Sequence, residues 1–150
     1  MTKDVLISVT GSHRTEGDDD NISVITAGNY YFKNGKHYII YEEHIEGVAE
    51  PIQNTIKIGT DSVEMIKGGE ARTHMIFEMQ KVNMTCYATP YGQMMMGVAT
   101  DQIQIREFPD QIRVSIDYSL EINYEKASEC HVEIEVNSKA TAKLKLGKES

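Results

Sequence analysis

Cysteine, basic charge, long hydrophobic runs and helical periodicity are all scarce in this chain, and each scarcity excludes something. There are 2 cysteines in 150 residues, Cys86 and Cys130, with no C-x-x-C pair. Neither a zinc ribbon nor a disulfide-rich secreted scaffold fits that pattern, and a reducing compartment is the expected setting. The apolar residues of the opening MTKDVLISVTGSHRTEGDDD alternate and are too few for a signal peptide, and no stretch approaches membrane-spanning length. The expectation is a soluble cytoplasmic protein with no membrane partner. With 15 Lys and Arg against 23 Asp and Glu, the net charge is -8, which opposes nucleic-acid binding, because phosphate contacts need clustered cations. The one basic cluster, Lys139, Lys143, Lys145 and Lys148, falls in a tail over 138–150 that reads as solvated and frayed.

Catalytic and metal signatures are missing as well. His13, His37, His44, His74 and His131 never adopt an H-x-H, H-x-x-H or H-E-x-x-H spacing. The run EGDDDN lacks the alternating ligands and closing glutamate of a calcium loop and reads as a solvated turn. No G-x-S-x-G occurs, and Cys130, in phase with Val132 and Ile134, reads as an inert buried thiol. No catalytic residue, metal ligand or cofactor is assigned.

What the chain does contain is strict two-residue alternation. Ile112, Val114, Ile116, Tyr118, Leu120, Ile122 and Tyr124 alternate with polar residues, and shorter versions occur at Val5, Ile7, Val9, at Met75, Phe77, Met79 and at Val132, Ile134, Val136. Turn signals separate these runs at Glu16-Gly17-Asp18, Asn34-Gly35, Gly59-Thr60-Asp61, Gly68-Gly69, Pro90-Tyr91-Gly92, Pro109-Asp110 and Lys126-Ala127-Ser128. The pattern predicts one all-β domain over 1–150, an antiparallel up-and-down barrel of about eight to ten strands, since closure removes exposed sheet edges. A two-sheet sandwich is the alternative.

Two hairpins assign faces. Asn34-Gly35 sets a register in which Phe32 pairs with His37, Tyr30 with Ile39, Gly28 with Tyr41, Thr26 with Glu43 and Val24 with Ile45, all expected inward. Tyr31, Tyr38 and Ile40 then face outward. Thr89-Pro90-Tyr91-Gly92 reads as a turn that places Tyr87 beside Met94 and Thr85 beside Met96. Met94, Met96 and Val98 are expected inside and Met95 exposed, with Gly97 at a bend. The apolar phase changes between Val98 and Ile103, so a β-bulge is expected near Thr100-Asp101-Gln102.

The segments ITAGNYYFKNGKHYIIYEE, TIKIGTDSVEMIKGG, HMIFEM, TPYGQMMMGVAT and VSIDYSLEIN, in this order and spacing, resemble the YwiB-like bacterial proteins, a family grouped as a domain of unknown function. The resemblance extends to about Val136 and leaves the lysine-rich tail outside. It implies a calycin-type, lipocalin-like barrel and a bacterial origin, and it carries over no catalytic residue.

The expected barrel lining is Tyr30, Ile39, Tyr41, Glu43, Met75, Phe77, Met79, Tyr87, Met94, Met96 and Val98. An inward carboxylate such as Glu43 must be paired, hydrated or protonated, so it either anchors a ligand amine or reaches water at the barrel mouth. The methionines form a deformable ligand wall or simply fill an irregular core. The leading functional expectation is therefore a non-enzymatic barrel for a small apolar or amphipathic molecule. The alternative is a filled barrel whose outer face, with Tyr31, Tyr38, Ile40 and Met95, meets another protein or a second copy in a homodimer. An enzyme would require Glu43 or His37 beside a pocket with perturbed protonation.

Overall fold

The computed structural model describes residues 1–15, 18–69 and 72–139; the side chains of 15, 18–20 and 86–89 also fall outside it. The strands are β1 (Asp4–Thr15), β2 (Asp18–Lys33), β3 (Lys36–Glu43), β4 (Ile52–Ile58), β5 (Ser62–Lys67), β6 (Thr73–Glu78), β7 (Val82–Thr89), β8 (Gly92–Phe108), β9 (Gln111–Ile122) and β10 (Glu125–Ser138). They form one sheet of 10 strands in the order β6-β5-β4-β3-β2-β1-β10-β9-β8-β7. This is the expected antiparallel up-and-down arrangement, nearly closed into a barrel.

The first and last strands join in a full antiparallel ladder, from Val5 opposite Ser138 to Arg14 opposite Glu129. The seam lies instead between β6 and β7, which follow one another in the chain yet stand at opposite ends of the strand order. Side chains stitch it. Asn83 Nδ2 donates to the Ile76 carbonyl at 3.1 Å and Thr85 Oγ1 to the His74 carbonyl at 3.2 Å, standing in for ladder bonds. The turn between the two strands is tied to β8 by Gln80 N–H to the Thr100 carbonyl at 2.9 Å and Thr100 N–H to the Lys81 carbonyl at 3.1 Å.

Among the described residues, apolar side chains pack the centre of the interior. Val5, Ile7, Ile39, Ile56, Ile58, Val63, Phe77, Ile116 and Val136 are fully or almost fully buried. Phe77 on β6 meets Tyr118 on β9 edge to face, with ring centroids 4.8 Å apart, a geometry favoured by the ring quadrupoles. Two expected lining residues, Ile39 and Phe77, are therefore core, and so is Val98.

Asn34 (φ 52) and Gly35 (φ 76) form the expected hairpin turn, with both residues left-handed. A Cβ on Gly35 would meet nothing within 4 Å, so the cost of adding one there is conformational alone. Gly35→Val should lower stability by about 1 kcal/mol or more in urea unfolding. An unchanged midpoint would mean that the left-handed turn does not hold this register.

The hairpin ladder pairs Phe32 with His37 and Tyr30 with Ile39, but it ends at Asn29 opposite Ile40. The expected partners further along are corrected: Thr26 and Val24 face Ile7 and Val9 on β1, and Glu43 faces Ile52 on β4. Gly28 marks the parting, because β2 passes so close to Ile40 that a Cβ there would lie 2.8 Å from its carbonyl oxygen. Ile45 belongs to the β3–β4 connection and is exposed.

On β8, Tyr87 pairs with Met94 and Thr85 with Met96, and the register shifts between Thr100 and Gln102, as the phase change requires. Met94, Met95 and Met96 are all half-buried, so Met95 is not the exposed methionine. The β9–β10 turn is fastened to the Met95 backbone: Asn123 N–H donates to the Met95 carbonyl at 2.8 Å, and Met95 N–H donates to Asn123 Oδ1 at 3.2 Å. Gly97 serves a close approach, since a Cβ there would sit 2.8 Å from Met84 Sδ.

Two further expectations are corrected, and the tail lies almost wholly outside the described residues. The β9–β10 turn is Asn123-Tyr124, both at positive φ, and the irregularity between Lys126 and Ser128 is a bulge inside β10. Asp18 to Asp20 pair with β1 in the strand β2 rather than forming a solvated turn; Glu16 and Gly17 lie outside the described residues. Ser138 ends β10 as a buried residue, Lys139 is exposed, and 140–150, with the remaining tail lysines, lie outside the described residues.

Candidate functional site

The carboxylate that alternation aims inward reaches a cleft at one end of the barrel. Glu43 ends β3, and its neighbours come from β4, β5 and β6: Asn54, Lys67, Thr73 and Met75. The cleft has a volume of about 210 Å³ and an apolar wall of Tyr41, Ile56, Met65 and Met75. Asn54 Nδ2 donates to Glu43 Oε2 at 3.2 Å, and Lys67 Nζ lies 3.4 Å from the same oxygen. Asn54 is buried, so the amide is held in place rather than swept by solvent. Burial, reinforced by the Glu43 carboxylate, pushes the Tyr41 phenol above its ordinary range, so it keeps its proton. Lys67 and Asn54 were not foreseen: both lie on strands whose register with β3 becomes visible only after folding.

Of the expected lining, Tyr41, Glu43 and Met75 meet at this cleft. Met94 and Met96 are half-buried on β8. Met79 is corrected: β6 ends at Glu78, and Met79 is 46% exposed in the following turn. Tyr87 holds its ladder position, with its side chain outside the described residues.

Tyr30 joins a different group. Tyr30 Oη and His37 Nδ1 are 2.7 Å apart, and His37 Nε2 lies 2.6 Å from Glu107 Oε1. These two contacts tie the β2–β3 hairpin to the far end of β8. Burial and then the Glu107 charge push the Tyr30 phenol upward, which keeps its proton in place. That is the opposite of an activated nucleophile, and the chain of bonds acts as a clasp. His37 was expected on the inward face opposite Phe32; Glu107 was hidden by the bulge that sets its face.

Cys130 is buried as expected, but it has a partner that its sequence neighbours do not show: His13 Nδ1 lies 3.0 Å from its sulfur. The signal was the phase of His13 with Val5, Ile7 and Val9 on β1. Tyr118, beside Cys130, is pushed strongly upward by burial first and by the thiol second.

His131, on the outer face, has its Nδ1 2.6 Å from Asp117 and its Nε2 3.2 Å from Glu133. The Asp117 hydrogen bond, opposed by partial burial and aided by Glu133, raises its pKa above 6.5. Folding therefore favours the protonated imidazole. Its stabilising contribution is fully present below pH 6.5 and is lost as pH rises through the raised value. His131→Gln should flatten the melting temperature of the protein across that window. A variant with the wild-type pH profile would show that the imidazolium contributes nothing.

These features define a class: an all-β, nearly closed antiparallel barrel with a packed centre and polar groups at its ends. Residues 7–134 match the family described as Domain of unknown function (DUF1934), and the chain belongs to that family. It is 28% identical over 113 residues to the uncharacterized beta-barrel protein YwiB of Bacillus subtilis (strain 168), an alignment covering 73% of this chain and 78% of that one. The crystal structure of the ywiB protein from Bacillus subtilis superposes with a TM-score of 0.78 at 19% identity, over 91% of this chain and 92% of the other. That likeness carries the fold.

Proposed function

We propose that this barrel binds a small amphipathic molecule at its mouth, in the cleft beside Glu43, within a reducing cytoplasm. One observation carries the reading: a paired carboxylate, a buried amide and a lysine meet above an apolar wall in a cleft of about 210 Å³. The lipocalin-like analogy suggests an interior ligand, but Phe77 and Tyr118 occupy the centre. The ligand accordingly lies at the rim, with its apolar part against Met65 and Met75 and its polar head exchanging hydrogen bonds with Glu43, Asn54 or Lys67. The volume falls below the roughly 300–1,000 Å³ common for drug-sized ligands, which favours a compact molecule over a long acyl chain.

Native mass spectrometry of protein purified from its own host tests this reading. The expected result is a retained small molecule whose occupancy falls on Glu43→Gln and on Met65→Lys. A bare mass that no small-molecule extract shifts overturns it. The filled centre and the exposed Tyr31, stacked on Tyr38 at 4.9 Å, favour a second reading as a homodimeric interaction barrel. Sedimentation of wild type against Tyr31→Glu decides that one: a dimer that dissociates on substitution supports it, and a monomer throughout excludes it.

A further inference from the structure

The outer face across β1, β10, β9 and β8 carries a hollow of about 390 Å³ lined by Ser8, Gln104, Arg106, Arg113, Ser115 and Glu133 among others. Arg106 on β8 stands directly opposite Arg113 on β9. Like charges in that position repel and destabilise a strand pair unless something neutralises them. Glu133 and Glu135, the acids beside them, both hold other partners as well. Glu135 Oε1 accepts from Gln111 Nε2 at 2.9 Å and Asn137 Nδ2 at 3.1 Å, and its other oxygen approaches Arg113 only to 4.0 Å. Glu133 is engaged by His131 at 3.2 Å. Arg106 has no hydrogen-bond or ion-pair partner among the described residues.

We propose that this hollow is a binding site for a small oxyanion, the phosphate or carboxylate group of a small molecule, held between the guanidinium groups of Arg106 and Arg113. The planar fork of a guanidinium matches both groups through paired N–H···O bonds. An anion between the two forks turns a repulsive pair into two charge-assisted ones. Ser8 and Ser115 offer hydroxyl donors and Gln104 an amide donor around the same space. Glu133 and Glu135 border it and bar extended polyanions, in keeping with a net charge of -8. The site lies on a different face from the Glu43 cleft and does not depend on it.

The test titrates the full chain with inorganic phosphate, and in a second arm with succinate, each against sodium chloride at equal ionic strength. Backbone amide shifts of 104–106 and 113–115 and the melting temperature are the readouts. Saturable shifts in either arm, absent with chloride, are expected, and the responding arm identifies the oxyanion. Arg106→Gln should weaken binding by about tenfold or more, as loss of a charge-assisted fork implies. Lys33→Gln, on an exposed part of β2, should leave it unchanged. Without anion, Arg106→Gln should be at least as stable as wild type, because a repulsion has been removed. The proposal is overturned if neither arm differs from chloride, if Arg106→Gln retains wild-type affinity, or if the variant is less stable in anion-free buffer.

Discussion

Phe77→Ala should cost about 3–5 kcal/mol of stability, the largest effect expected of any single truncation in this barrel. Phe77 is fully buried on β6 and crosses the interior to meet Tyr118 on β9. Truncation loses the transfer energy of the ring, leaves a cavity the surrounding strands cannot close, and removes an edge-to-face contact worth about 0.5–1.5 kcal/mol beyond its area. Domains of this size are stable by roughly 5–15 kcal/mol, so the variant should fold but with little margin. Urea unfolding should show a lower midpoint with an unchanged slope. A second measurement keeps the result interpretable. The dry, apolar cavity in the variant should take up benzene, and the wild type should not. If wild type binds benzene as well, or if the substitution costs less than about 1 kcal/mol, the centre is not packed and the interior becomes available to ligand.

Gly28→Ala should be the next most damaging change, at about 1–3 kcal/mol, although it adds a single methyl group. A Cβ at this position would lie 2.5 Å from Ile7 Cδ1, 2.8 Å from the Ile40 carbonyl oxygen and 3.3 Å from Tyr41 Cβ. The isoleucine can change rotamer, but the carbonyl belongs to the backbone of β3, which would have to move. Since β3 carries Tyr41 and Glu43 to the mouth, the same shift should also loosen the cleft, visible as changed amide shifts of Asn54 and Lys67. Gly11→Ala is the matched control. Its Cβ would meet Val132 Cγ2 at an ordinary 3.6 Å, so it should be neutral or slightly stabilising through a less flexible unfolded chain. Equal tolerance at both positions would show that the close approach of β2 to β3 is not a constraint.

Alternation and turn chemistry are local properties, and what depends on them alone was legible in the residues. The all-β class, the Asn34-Gly35 turn, the pairing of Tyr87 with Met94 and the bulge after Thr100 follow from side-chain period and backbone preference within a few residues. Where each strand ends was less legible, because a pattern of period two does not announce its stop. Met79 keeps the phase of Met75 and Phe77 yet lies in a turn, and Ile45 keeps the phase of Tyr41 yet has left the sheet. Only tertiary structure decided where the sheet closes and where its seam falls, since that is settled by closing the whole sheet and not by any one hairpin. The first and last of the described strands meet as β1 and β10, the seam falls between β6 and β7, and β2 leaves β3 at Gly28. The pairing of Glu43 with Lys67, of His37 with Glu107, of His13 with Cys130 and the facing of Arg106 with Arg113 all follow from that closure. Such contacts join residues on different strands, and no periodicity along one strand encodes the identity of the side chain beside it.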